Sequence, residues 1–197
     1  LAMVIGLLLA FMMTRSITRP IGQMVDASNK MALGNFNFKL AVDGRDETGQ
    51  LAAGMTAIQS SVQRMIADAE MLVKAAAEGK LAARADAEKH QGDFQKVVKG
   101  VNETLDAVIG PLNVAATYVD RIAKGDIPAK ITDNYNGDFN TIKNNLNTCI
   151  DAVNALVTDA AMLSRAAVEG KLATRADASK HRGDFQRVVK GVNDTLD

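Results

Sequence analysis

The chain has no tryptophan, two tyrosines, three prolines and one cysteine. So few aromatics leave little for a compact enzyme core of the usual kind. The single Cys149 excludes an internal disulfide and fits a reducing compartment. Charge of one sign is also missing: 23 Lys and Arg balance 23 Asp and Glu, so no basic field points to nucleic acid. What is abundant is Ala, Leu, Glu, Lys, Gln, Arg and Met, the residues that favour helix.

One long apolar run is present. Residues 1–13, LAMVIGLLLAFMM, carry no charge and are followed by Arg15 and Arg19. A membrane span needs about 20 apolar residues, so this run is read as the C-terminal part of a truncated transmembrane helix. A signal peptide would place its basic residues before the run. Arg15, Arg19 and Lys30 after it predict that residues 14–197 lie in the cytoplasm, beneath the inner membrane.

The rest repeats. Residues 66–106 and 157–197 match closely at an offset of 91, sharing EGKLA.RADA.KH.GDFQ.VVKGVN.TLD. A weaker copy holds KGDIPAKI and NGDFNTIKNNLN, and a more diverged one holds LGNFNFKL and GRDETGQL. The marker glycines Gly34, Gly79, Gly125 and Gly170 are spaced 45, 46 and 45 residues apart. Apolar residues between them recur at alternating gaps of four and three: Leu51, Met55, Ile58, Val62, Met65, Ala69; then Val98, Val101, Leu105, Val108, Leu112, Ala115, Val119; then Ile142, Leu146, Cys149, Val153, Leu156. That is the seam of a coiled coil. Each run ends before a marker glycine, which suits a left-handed helix C-cap. Each begins at or just after an acid (Glu47, Asp93, Asp138), which complements the positive end of a helix.

These signals predict an all-α chain with three long helices crossing the repeat boundaries, a short helix from about Pro20 to Leu33, and extended connectors of about 13 residues. The short helix would be about 21 Å long and its successor about 43 Å. An antiparallel return would overshoot into the membrane, whereas an extended connector reaches far enough to bring the next helix back in parallel. Two parallel helices with narrow apolar faces do not close a core. A second chain would complete a four-helix bundle in each unit, so a parallel homodimer is expected.

At this point the sequence resembles HAMP domains, the linker modules of bacterial transmembrane receptors, in a tandem array over residues 14–197. The residues that carry the resemblance are Pro20, Gly34, and DETG at 46–49, with Glu47 and Gly49 opening the second helix; later copies carry GDF instead. Those are Asp93 with Phe94, Asp138 with Phe139, and Asp184 with Phe185. KGDIPAKITDNYNGDF is similar to such stretches of methyl-accepting chemotaxis proteins and related sensor histidine kinases. The expected units are residues 14–66, 67–111, 112–156 and a truncated 157–197. The resemblance implies a non-catalytic relay in a chemotaxis transducer, coupled through an output domain to a histidine kinase and adaptor. The alternatives are the linker of a sensor histidine kinase or cyclase, and a structural coiled-coil spacer. No catalytic residue, cofactor, metal or small-molecule substrate is expected.

His90 and His181, each beside a GDF motif, read as polar connector residues rather than phosphoacceptors or ligands. The sequons at Asn102 and Asn193 read as coincidences within a cytoplasmic helix. Pro111 interrupts no heptad and yet removes a helix hydrogen bond, which predicts a flexible junction between the second and third units.

Overall fold

The computed structural model describes residues 1–41, 44 and 46–197; Arg45 of the GRDETGQL stretch lies outside them. Among the described residues there are helices and turns and no strand. The helices are α1 (Ala2–Met13), α2 (Arg19–Ala32), α3 (Glu47–Ala77), α4 (Gly92–Ala123), α5 (Gly137–Val168) and α6 (Gly183–Thr195).

Pro20 was expected to open a new helix. Instead the helix continues from Ala2 to Ala32, and α1 joins α2 through a π turn at Thr14–Thr18. The physical reason is local. Proline has no N–H to give the carbonyl four residues back, and the chain shifts register: the Arg19 N–H donates to the Thr14 carbonyl five residues back. The Thr14 and Ser16 hydroxyls donate to the carbonyls of Ala10 and Met12 at 2.9 and 2.7 Å. This 31-residue helix is long and apolar enough to cross a membrane, and its apolar part is unburied, consistent with the end of a transmembrane segment that runs unbroken into the first repeat.

Each marker glycine ends a helix in the same way. Gly34, Gly79, Gly125 and Gly170 have φ between 72° and 79°. Gly79 N–H donates to Ala76 and Lys80 N–H to Ala75, and the other three sites repeat this pair of bonds. It is the Schellman arrangement, which needs the left-handed backbone that glycine adopts without strain. The glycines of the GDF motifs, Gly92, Gly137 and Gly183, are also left-handed, at φ 52° to 57°. Glycine is therefore required on both sides of the connector.

The chain divides into two compact units, residues 1–106 and 107–197. In the first, α2 lies against α3, and Met24, Ala27, Ala52, Gln59, Ala75, Ala85 and Val98 are buried. In the second, Leu163 of α5, Ala176 of the connector and Val189 of α6 form one cluster, with Leu156 and Leu196 against it. Leu163 follows Asp159, and Val189 follows His181, which contacts Asp159. Helices α5 and α6 therefore advance side by side in the same direction.

The expected seams divide between two faces. Val98 of the α4 seam is buried within the chain, whereas in α5 the buried residue is Ile150, beside the expected seam and not on it. Val101, Val108, Leu112 and Val119 of α4 remain 42–56% exposed, and Leu51 and Ile58 of α3 57% and 54%. Cys149, beside fully buried Ile150, is exposed. An open apolar groove of about 290 Å³ runs between α5 and α6, lined by Leu156, Leu163, Val192 and Leu196. Helix α4 passes through Pro111 without a break.

Candidate functional site

The polar chemistry of the chain is concentrated where connectors meet helices. Helix α4 carries Asn102 opposite Ala85. Its Oδ1 accepts from the Ala85 N–H at 3.0 Å and its Nδ2 donates to the Ala85 carbonyl at 2.8 Å. Asn147 grips Ile131 identically, at 2.7 and 3.0 Å, and Asn193 grips Ala176 at 3.0 and 2.9 Å. A side-chain amide has one acceptor and two donors, so it pairs with a backbone residue as a neighbouring strand would. The gripped residues are all buried, and their backbone groups would be costly to leave unpaired. In the first repeat the same task falls to glutamines. Gln59, 5% exposed, donates to the Phe36 and Phe38 carbonyls at 2.7 Å each, and Gln63 donates to Phe36 at 2.6 Å.

Ion pairs flank the clamps. Arg84 donates from Nε and Nη2 to Asp106 and from Nη1 to the carbonyls of Leu81 and Ala83. Arg175 repeats this with Asp197, Leu172 and Thr174. Lys130 meets Asp151 at 2.7 Å in the intervening repeat. Of these residues the sequence singles out only Asn102 and Asn193, and as sequons, not as clamps. Their repetition at one place in each second helix, with Asn147 between them, was the available signal.

His90 and His181 lie in the connectors but are buried, at 3% and 4% exposed, and each is tied to a helix. Each Nε2 meets an aspartate of the preceding helix, Asp68 at 2.6 Å and Asp159 at 2.7 Å. An ionised carboxylate only accepts, so Nε2 carries the proton. Nδ1 of His90 is buried without a partner among the described residues. A 3-10 turn, at Ala87–Lys89 and Ala178–Lys180, aims each imidazole at the helix. Among the described residues no group of three or more His, Cys, Asp or Glu side chains comes together.

Glu47, Asp93 and Asp138 stand in the first turns of α3, α4 and α5. The cap of α3 is Asp46, which accepts from the Gly49 N–H at 3.0 Å and the Thr48 hydroxyl at 2.7 Å. Those bonds, that of Thr48 foremost, hold the Asp46 carboxyl below its ordinary value. Gly49 is buried so closely against Gly44 that an added Cβ would overlap the Gly44 carbonyl. Asp93 pairs with Lys96 at 2.8 Å and Asp184 with Arg187, while Asp138 stands in the first turn of α5. Phe94 and Phe139 are half-buried, and Phe185 is more exposed.

Comparison with known proteins gives two family matches, both described as HAMP domain, at residues 12–64 and 89–155. Together they cover more than half of the chain. The chain is similar to the methyl-accepting chemotaxis protein McpQ of Pseudomonas putida, 38% identical over 66 residues, which is 34% of this chain and 10% of that protein. It is also similar to the sensor protein kinase WalK of Staphylococcus haemolyticus and of Staphylococcus aureus, 33% and 31% identical over 70 residues, 36% of this chain and 12% of each kinase. The matched stretch thus spans about a tenth of the length of these relatives. No solved structure matches.

Proposed function

The chain belongs to the HAMP-domain family, whose members are non-catalytic signalling linkers, and we propose that it serves as the relay of a chemotaxis transducer. The family and the relatives support signal relay in a transducer or sensor kinase. Its repeats, taken as residues 14–66, 67–111, 112–156 and 157–197, each leave half of an apolar seam uncovered. That exposed half, Val101, Val108, Leu112 and Val119 in α4, is the observation that carries the reading. A second copy in parallel would cover it and close a four-helix bundle per repeat. The unbroken helix from Ala2 to Ala32 supports a membrane sensor driving the first repeat directly, with residues 14–197 on the cytoplasmic side. An output domain would then hand the change to a histidine kinase and adaptor.

The similarity to WalK favours a second reading, the linker of a sensor kinase that carries its own catalytic domain. The two separate cleanly. Full-length protein in membrane vesicles is expected to change the phosphorylation of an added chemotaxis kinase bound through its adaptor. Phosphorylation of the protein itself on histidine, from ATP and with no added kinase, would establish the sensor-kinase reading instead.

Pro111 sits in this relay as a point of compliance. Its missing N–H leaves the Ala107 carbonyl without its helical partner. Pro111→Ala is expected to slow amide exchange around Val108–Ala115 severalfold and to bias the output toward one state. Unchanged exchange and unchanged output would remove the flexible-junction reading.

A further inference from the structure

The connectors are not held equally. The asparagine clamp ties each connector to the second helix of its repeat, in repeats two, three and four alike. The histidine–aspartate bond ties the same connector to the first helix, and only in repeats two and four. Asp68 stands eleven residues before Gly79, and Asp159 eleven before Gly170; in repeat three that place, eleven before Gly125, is Val114. The histidine stands two residues before the GDF glycine, and in repeat three that place is Tyr135. A valine side chain offers nothing to hydrogen-bond, so repeat three lacks the first-helix tie.

We propose that His90–Asp68 and His181–Asp159 are register staples, positioning pairs that fix the first helix against the second within repeats two and four, and that repeat three is the compliant one. The proposal rests on the relay reading for its purpose, though not for its geometry. The imidazole is short, its side chain is 1% exposed in both copies, and it reaches 22 residues back along the chain. Sliding one helix by one full turn moves it about 5.4 Å. A bond of 2.6 or 2.7 Å does not survive that displacement within hydrogen-bond limits. The imidazole, 1% exposed, would be left unpaired, while the aspartate, 25% and 22% exposed in the two copies, could turn to solvent. A long lysine could follow such a movement; a buried histidine cannot. With the asparagine clamp holding the other side of the same connector, the two helices of a stapled repeat are joined by directional bonds through three points of the chain. In repeat three the first helix meets the connector through the exposed Arg121–Asp126 pair at the helix end, whose long arginine side chain can follow such a movement.

Hydrogen exchange in the full-length protein tests this. After correction for intrinsic rates, segment 127–136 is expected to exchange at least tenfold faster than 81–91 and 172–182. Asp68→Ala should raise 81–91 toward the rate of 127–136 and leave 172–182 unchanged; His90→Gln, which can still donate, should restore part of the protection that His90→Ala loses. Val114→Asp combined with Tyr135→His should slow 127–136. If Asp68→Ala unfolds the repeat, the unmodified protein and the transplanted pair decide. Equal exchange in the three connectors, or no slowing by the transplant in a folded protein, overturns the staple. Neither result touches the relay reading, which stands or falls on output coupling.

Discussion

Leu112→Glu is expected to convert the protein from dimer to monomer while leaving the fold of each chain in place. Leu112 is 42% exposed in the single chain, so a glutamate there has water to face as long as the chain is alone. In a parallel pair the two substituted positions would meet across the seam. Two carboxylates would be desolvated beside one another with no cation between them. A penalty of ~4 kcal/mol is modest for an unpaired buried charge. At about 1.4 kcal/mol per decade it weakens association roughly a thousandfold. Sedimentation equilibrium reads the change, and circular dichroism verifies that helix is retained. Thr117→Glu, on an exposed polar position of the same helix, is the control and should leave association within about threefold. A fully dimeric Leu112→Glu protein would place the interface on another face.

The second large effect concerns the clamp. Asn102→Leu should destabilise the second repeat by about 2–5 kcal/mol, because the buried Ala85 N–H and carbonyl both lose their partner. Asn102→Asp is more informative. Its carboxylate still accepts from the Ala85 N–H, but its other oxygen now faces the Ala85 carbonyl. Only the protonated acid can donate there, so folding favours the protonated form and raises the carboxyl above its unfolded value. The sign follows from linkage: the group's contribution is present below the unfolded value, about 3.9 for aspartate, and is lost as pH rises through the folded one. Denaturant unfolding should find Asn102→Asp as weak as Asn102→Leu at neutral pH and distinctly stronger near pH 4. Equal stability of the three proteins at neutral pH would show that the clamp is dispensable.

Much of the architecture is legible in the sequence because it repeats. The four marker glycines predict four helix ends, and the alternation of three and four predicts the helices between them; both signals are local, and local geometry satisfies them. The misses share a cause. Glu47 and Asp46 are adjacent acids, and only the backbone conformation at Asp46 decides which of them caps α3. Pro20 opens many helices, but here the turn before it absorbs the missing N–H by a register shift that no composition rule foresees. The clamping roles of His90, Asn102 and Gln59 are not legible, because polarity alone does not say which distant group a side chain meets. Their partners lie 17 to 23 residues away, on a segment that has turned back. The offset of 91 that made the repeat visible also marks His90 with His181 and Asn102 with Asn193, but not Gln59. Tyr135 stands in the place of His90 in repeat three, and that exception is the feature that distinguishes the repeat.

The seam itself is the central claim, and Cys149 tests it without any substitution. It is exposed in the single chain and lies on the face left free when Ile150 turns inward. In a parallel pair about a twofold axis, a seam residue meets its own copy, within the ~4.4–6.8 Å between Cα atoms that a disulfide requires. Mild oxidation of the membrane-inserted full-length protein should therefore give a covalent dimer rapidly and nearly completely, with Cys149→Ser abolishing it. A protein that stays monomeric under oxidation, or one in which Cys149→Ser/Asp151→Cys crosslinks as fast as the native cysteine, would contradict the parallel seam and the relay built on it.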